Sequence, residues 1–493
     1  MAPIARRYFL LVGLAIVGIT LILRLGASVT ERPAGGSTRP PGELTTFAAA
    51  PSPSADQRPA EHKEHSSDAL ARLLLQLVVI IGVSYGVGFI FSRLGQPAVV
   101  GEMMAGVLLG PSLFGWIAPQ AFQAVFSADS LEPLRLLSQI GVCLFMFAVG
   151  MELDLAQILK RAGRVLVIGH GSIAIPFLFG VSVALPLYHR YANPGASFSA
   201  FALFMGISMS VTAFPVLVRI LKDRRLFHTA LGRTATMCAA LSDATAWCIL
   251  AFVVAMAGAG SFSGVLTRTG LVFAYAFVML LLVRPLLARL LRRWLYEEAD
   301  PEQPALVLVA AIVLASALVT EGIGLHALFG GFLAGVIMPS GGGFRAKLTL
   351  RVEQFSSVLL LPTFFAFIGL RTQVGLLGNS YDWAVCGAII LVATFGKMGG
   401  TALLGRAFNY NWRDAFALGA LMNTRGLMEL IALNIGLEMG ILSLRIFTML
   451  VLMAIVTTVL TGPLIQWLTQ PARDPVNPAL QARVYPNGGG VLP

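Results

Sequence analysis

Beyond residue 70 the chain alternates long apolar runs with short polar punctuation. The runs fall at 70–91, 98–117, 136–151, 165–186, 200–220, 229–257, 265–287, 304–320, 325–339, 355–370, 383–404, 415–437 and 444–468, bounded by charges, Pro or Gly. Most approach or exceed the roughly 20 residues that a helix needs to cross a bilayer. The pattern predicts an all-α membrane protein with about 13 core transmembrane helices. A further apolar run at 8–23 follows Arg6 and Arg7, so residues 1–27 read as a signal peptide or an extra transmembrane helix. Residues 28–69, rich in Pro, Ser, Ala and charge, predict a disordered outer linker. The transmembrane domain is expected over 70–470, with 471–493 a short cytoplasmic tail.

Composition narrows the class. The 493 residues are 57% hydrophobic and only 12% charged, against roughly 25% charged in an average soluble domain. That excludes an ordinary soluble enzyme. The net charge of +11 would suggest nucleic acid in a soluble protein. Here the cations sit in alternate short loops: Arg93, then Lys160, Arg161 and Arg164, then Lys222, Arg224 and Arg225, then Arg289, Arg292 and Arg293, then Arg345, Lys347 and Arg351, then Arg406 and Arg413. Such alternation sets orientation, with these loops and the C-terminus cytoplasmic, and no nucleic-acid partner is indicated. Cys143, Cys238, Cys248 and Cys386 lie inside spans without metal-type spacing. His62 and His65 read as solvated linker residues rather than ligands, so no metal site and no cofactor are expected. No Walker loop, nucleotide fingerprint or HExxH occurs, which argues against ATP-driven transport and intramembrane metalloproteolysis.

An internal repeat supplies the architecture. AGVLLGPS at 105–112, in the second core span, resembles AGVIMPS at 334–340, in the ninth. An offset of seven spans makes the two copies cross in opposite directions, the trace of an inverted-topology repeat. A second pair has the same offset: SVTAFPV at 210–216, with Thr212 and Pro215, interrupts the fifth span, and MNTRGLM at 422–428, with Asn423, Thr424 and Arg425, interrupts the twelfth. Polar residues with Pro or Gly at mid-span invite unwinding, tolerated where freed backbone groups face protein or a watery cavity. Two broken helices crossing at mid-membrane would aim their half-helix ends at a cation site.

Asp243 lies near the middle of the sixth span. A charge at that depth costs a few kcal/mol and burial favours the neutral carboxyl, so such a group can release a proton and take a cation in the same space. Its alternative is a neutral Asp hydrogen-bonded to a neighbouring helix. Lys397, in the eleventh span, either pairs with Asp243 across the repeat interface or snorkels to the nearer, cytoplasmic interface. Arg425 and Glu429, four residues apart, share a face if their helix is continuous. They serve either as a structural pair or in the ion path. Glu102, Glu152, Asp154, Glu321 and His326 lie near span ends, where rim or capping roles are the default. Gly106/Gly110 and Gly331/Gly335 speak for close helix packing.

Together LGQPAVVGEMMAGVLLGPSLFGW, GVCLFMFAVGMELDL, SMSVTAFPVLVRIL, LSDATAW, LLLPTFFAFIGLRT and NTRGLMELIALNIG resemble the monovalent cation:proton antiporters of the second superfamily, close to the plant-type cation/H+ exchangers and more distantly the glutathione-gated potassium efflux systems. The resemblance implies a Na+/H+-antiporter-like fold with a dimerisation part and a mobile core. It also implies a secondary active antiporter, not an enzyme, exchanging K+ or Na+ for H+ in the cell membrane by alternating access, as a homodimer. Asp243 is similar to that family's ion- and proton-binding aspartate, Thr212 and its neighbours to the first unwound segment, Lys397 to a charge-compensating cation, and Asn423, Thr424 and Arg425 to the second unwound segment. Ser242 departs from the pattern. Many relatives carry Asn or Asp before the essential Asp, and a second carboxylate there goes with electrogenic exchange, so Ser242 implies electroneutral one-for-one exchange. A gated cation channel and a non-transporting cation sensor are the alternative readings.

Overall fold

The computed structural model describes residues 2–30, 61–127, 130–152, 162–257, 262–291, 303–339 and 343–469. Most of the expected linker, Asp154 and the C-terminal tail lie outside the described residues. The chain begins with α1 (Ala2–Thr30), α2 (Glu61–Arg93), α3 (Ala98–Leu109), α4 (Leu131–Glu152) and α5 (Ala162–Tyr191). Next come α6 (Phe198–Ser210), α7 (Phe214–Asp223), α8 (Ala230–Ala257), α9 (Phe262–Val278), α10 (Gln303–Ile323) and α11 (Ala327–Val336). The last third holds α12 (Phe344–Phe355), α13 (Leu361–Arg371), α14 (Ser380–Thr394), α15 (Gly400–Ala407), α16 (Trp412–Met422), α17 (Leu427–Glu438) and α18 (Leu444–Leu468). Single π-helical turns join α12 to α13 over Ser356–Leu360 and α14 to α15 over Phe395–Gly399.

Twelve helices among the described residues are long and apolar enough to cross a membrane, including Tyr8–Ser28 near the N-terminus. Setting that one aside, the remaining long helices, the bent pair α16–α17 and the short apolar α11 supply the thirteen core spans that the sequence predicts. Helix α2 starts at Glu61, nine residues before the expected start of the first core span, so helix enters both ends of the 28–69 segment.

The spans sort into two bundles. One packs α5, α6–α7, α8, α14–α15, α16–α17 and α18 together, with α1 laid along α5 and α6. The other packs α2, α3, α4, α10, α11 and α12–α13, and α9 touches both bundles through α8 and α10. The repeat is visible in how they pack. Helix α3, the second core span, lies on α13 of the tenth; its counterpart α11, the ninth, lies on α4, the third. Both contacts are backbone-close. A Cβ built on Gly106 would sit 2.1 Å from the Phe365 carbonyl oxygen, and one on Gly335 would sit 2.1 Å from that of Phe147. Only a residue without a side chain permits that approach.

The breaks have local causes. Pro215 stands in the first turn of α7, where its missing N–H costs nothing. Carried into one continuous helix, its ring would strike the carbonyl of Val211, so α6 stops at Ser210 and 211–213 run without helix. At the second break Gly426 faces the first. A Cβ there would come within 3.0 Å of the Val216 methyl and 3.2 Å of Ala213 Cβ. The α16–α17 pair bends by 46° at this point.

Candidate functional site

The two unwound segments meet and hydrogen-bond to each other. The Ala213 N–H donates to Thr424 O at 2.9 Å, and the Thr212 hydroxyl donates to Met422 O at 3.0 Å. Thr212, Asn423, Thr424 and Arg425 are all buried, as expected of a crossing at mid-membrane. Breaking a helix leaves N–H groups and a partial positive charge at one new end, carbonyls and a partial negative charge at the other. Three of these four ends find hydrogen-bond partners, and the fourth, the start of α17, has a carboxylate in its first turn without a side-chain capping bond.

Asp243, only 2% exposed, answers the N-terminal end of α7: its Oδ2 accepts the Phe214 N–H at 3.3 Å. Its Oδ1 has no hydrogen-bond partner among the described residues, and neither has the side-chain amide of Asn423 at the crossing. At the C-terminal end of α6, Arg425 donates to Ser208 O at 2.5 Å and Met209 O at 2.7 Å, while Lys397 Nζ donates to Ser210 O. Two resident cations thus cover three successive carbonyls. Arg425 also meets Glu429 Oε2 at 3.1 Å, both side chains fully buried. Glu429 lies in the first turn of α17 and so answers that N-terminus too. Arg425 lies in the unwound segment, so the pair forms without the continuous helix that the four-residue spacing assumed.

Lys397 is fully buried, which removes the snorkelling alternative. Nor does it form a direct ion pair with Asp243; its ammonium goes to α6. It lies in the π-helical turn of the α14–α15 span, where one extra residue per turn resets the direction of its side chain. Ser242 turns away from the crossing: its hydroxyl donates to Gly169 O at 3.1 Å and lies 3.2 Å from Ser172 Oγ, both on α5. Pro215 lines a cavity.

That cavity, about 650 Å3, lies between the two bundles. Phe214, Pro215, Arg219 and Lys222 wall it from one side; Glu102, Glu152 and Glu353 from the other. It reaches the end of the molecule that carries Lys222 and Asp223, and its inner wall at Phe214 is the residue whose amide holds Asp243. Glu102 and Glu152 therefore face the cavity as well as the span ends. On the other side of Asp243, one helical turn along α8, Trp247 packs edge-on to Phe329 at 5.3 Å and stacks on Phe332 at 5.6 Å, both on α11. The aromatic cluster joins α8 of one bundle to α11 of the other, and none of its three residues lines the cavity. Glu321 Oε2 accepts the Ala327 N–H at 2.7 Å, the capping role expected of it.

Sequence reasoning missed Thr458, whose hydroxyl accepts the Arg425 N–H at 2.9 Å and lies 3.0 Å from the Arg425 carbonyl oxygen. It also missed the aromatic cluster. Trp247 ends the LSDATAW motif, but nothing local marks its partners or Thr458. Among the described residues no group of His, Cys, Asp and Glu is placed to hold a metal.

A family model described as sodium/hydrogen exchanger, transmembrane, matches residues 77–470. The chain is 40% identical over 400 residues to the Na(+)/H(+) antiporter NhaS4 of Synechocystis sp., covering 81% of this chain and 97% of that one. It is 38% identical over 408 residues to Cation/H(+) antiporter 19 of Arabidopsis thaliana, covering 82% and 50%. With the K(+)/H(+) antiporter 1 of Saccharomyces cerevisiae it shares 35% over 432 residues, covering 86% and 49%. The chain thus spans about half the length of these plant and yeast relatives. In fold it is similar to the sodium proton antiporter MjNhaP1 from Methanocaldococcus jannaschii, with a TM-score of 0.59 at 15% identity, covering 81% of this chain and 100% of that one. The family match over most of the sequence, together with relatives this similar, means that the chain belongs to the sodium/hydrogen exchanger family.

Proposed function

We propose that this protein is a secondary antiporter exchanging a monovalent cation, K+ or Na+, for H+ by alternating access, with Asp243 holding the proton and the cation in turn. The reading rests chiefly on one observation. The Asp243 carboxylate, buried at mid-membrane, spends one oxygen on the half-helix amide of Phe214 and keeps the other without a hydrogen-bond partner, just behind the wall of the inter-bundle cavity. A carboxylate so held has a preset orientation and one coordination position for either passenger. Relatives named as Na(+)/H(+) and K(+)/H(+) antiporters support the same chemistry.

A cavity lined from the Lys222 end to Phe214, with an aromatic cluster on the far side of Asp243, favours alternating access over a continuous pore. The positive-inside pattern puts the Lys222 end in the cytoplasm of a cell-membrane protein and the C-terminus on the same side. Lys397 and Arg425 act by cancelling the negative end of α6, so that Asp243 presents the one exchangeable carboxylate at the crossing. That arrangement is compatible with the one-for-one, electroneutral exchange that Ser242 implies through the family resemblance, and a homodimer is the assembly that the same resemblance suggests.

The test is dissipation of a pH gradient in proteoliposomes on adding K+, Na+, Li+ and Rb+ in turn. Proton efflux that depends on the cation is expected in the native protein and none in Asp243→Asn. Undiminished exchange by folded Asp243→Asn protein would overturn the assignment of the site, and current exceeding coupled proton flux would replace the antiporter with a channel.

A further inference from the structure

The end of the bundle interface opposite the cavity carries a charged cluster that the exchange chemistry does not use. Arg371 ends α13 in one bundle; Asn434 and Glu438 lie in the last two turns of α17 in the other. One guanidinium nitrogen, Nη1, donates to Asn434 Oδ1 at 2.9 Å and to Glu438 Oε1 at 3.2 Å. The second carboxylate oxygen of Glu438 lies 3.7 Å from Nε2 of His326, which belongs, like Arg371, to the α10–α11 and α13 bundle. Glu438 is therefore gripped from two separate elements of the opposite bundle. The Arg371 guanidinium also lies over the Phe367 ring at 4.3 Å, which fixes its plane. His326 is held at φ +80°, a left-handed backbone that only the junction between α10 and α11 imposes on it.

We propose that Arg371 and His326, closing on Glu438, form the outer latch of the transport cycle, the contact that must break for the far side of Asp243 to open. The proposal rests on the alternating-access reading above. Its position follows from the fold: Glu438 ends the span whose unwound segment forms half of the crossing, so movement of that bundle carries Glu438 with it, while Arg371 and His326 stay with the other bundle. Beneath the latch lies the Trp247–Phe329–Phe332 cluster, then Asp243. Two barriers in series, one ionic and one aromatic, stand on this side, whereas the Lys222 side holds the cavity. At the cavity end the bundles are also tied, by Gln96 to Val459 O at 3.2 Å and by Arg224 to Gly95 O at 3.3 Å. Those bonds join a charge or an amide to backbone carbonyls, and the opposed charges at this end, Arg219 and Lys222 against Glu102, Glu152 and Glu353, face each other across the cavity rather than in a direct ion pair among the described residues. A latch of opposed charges biases the two states only as far as it is made in one and lost in the other.

Cysteine accessibility reads the latch without reference to transport. Val254, buried, lies seven residues beyond Trp247 on the same face of α8 and toward the latch. In full-length protein with Cys143, Cys238, Cys248 and Cys386 replaced by Ser, V254C is labelled with a membrane-impermeant maleimide from the outside. Slow labelling is expected with the latch intact, rising about tenfold in Glu438→Gln and in Arg371→Gln, and falling back when the charges are exchanged in the double variant Arg371→Glu, Glu438→Arg. Unchanged labelling in either single variant that folds overturns the latch, as does a double variant no slower than the singles. Should Glu438→Gln fail to fold, Arg371→Gln and His326→Gln carry the same comparison. The two readings fail separately: absent exchange in the native protein with latch-dependent labelling rejects the antiporter and keeps the latch, and cation-coupled exchange with latch-independent labelling does the reverse.

Discussion

The two broken spans are repeat counterparts, yet their ends are compensated in different ways. At α7 the N-terminal amide is answered from another helix, by Asp243, whose second oxygen has no hydrogen-bond partner among the described residues and whose neighbour Phe214 borders the cavity. At α17 the answering carboxylate is Glu429, in that helix's own first turn, closed against Arg425 and outside the cavity lining. Each carboxylate has one oxygen without a hydrogen-bond partner among the described residues, Asp243 Oδ1 and Glu429 Oε1, but Glu429 is already paired with a buried cation and Asp243 is not. On the proposed function, duplication has left a working half and a bracing half at the same crossing. The difference lies less in which residues are acidic than in which of them already has a cation.

The contrast breaks most sharply in transport. Asp243→Asn should abolish cation-coupled proton flux while the purified protein keeps native thermal stability, because asparagine still accepts the Phe214 amide. Glu429→Gln should do the opposite, retaining coupled flux in whatever fraction folds and lowering the melting temperature. The check is exchange rate and melting temperature measured on the same preparations. Flux lost in both variants at unchanged stability would make the two carboxylates equivalent and erase the asymmetry.

Arg425→Gln tests the brace directly. It strands Glu429 and frees Ser208 O and Met209 O, all buried. Removing one partner of a buried pair costs about 3–5 kcal/mol, so a large fall in thermal stability in detergent is expected. Arg425→Gln combined with Glu429→Gln should recover part of it, since the stranded charge is gone. A double variant less stable than the single would show that the pair is not the source of the loss.

A smaller effect isolates the backbone. Thr458→Val keeps the shape but leaves the Arg425 N–H without its acceptor, costing about 1–3 kcal/mol for a buried unsatisfied donor. Thr212→Val removes one donor from Met422 O and leaves the parallel Ala213–Thr424 bond in place, which should cost about 1 kcal/mol. Thermal unfolding of the two variants side by side should rank Thr458→Val as the more damaging, and the reverse order would mean that the crossing is held from the α6–α7 side.

Much of this arrangement is legible in the sequence, and the limits of that reading are physical. The apolar runs and their spacing fix the spans because a bilayer imposes one length on every crossing helix. The Gly-containing repeat at 105–112 and 334–340 gave the inversion, and the structure reproduces it as the matched α3–α13 and α11–α4 contacts. Pro215 announced the first break through its missing N–H. Partnership was not legible. Lys397 reads either as a partner of Asp243 or as a snorkelling cation, but a π-helical turn, which leaves no mark in composition, sends the ammonium to Ser210 O instead. Thr458 and the Trp247 cluster are contacts between distant spans that periodicity cannot resolve.

Ser242 gives the last and smallest test. As the residue beside Asp243 it drew attention as a site candidate, yet the side chains of neighbouring helical residues point about 100° apart, and its hydroxyl bonds to Gly169 O and Ser172 on α5. Ser172 makes its own bond to the same carbonyl at 2.7 Å. Ser242→Ala therefore strands no acceptor and should lower stability by no more than about 1 kcal/mol, with exchange unchanged. Ser242→Asp should place a carboxylate among α5 backbone atoms with no cation at hand, lowering stability without adding a second ion ligand at the crossing. The transport stoichiometry, measured as the reversal potential of coupled flux in vesicles, should stay the same in both variants. A shift toward electrogenic exchange in Ser242→Asp would mean that position 242 faces the ion path during part of the cycle, and that the working half of the crossing extends along α8 beyond Asp243.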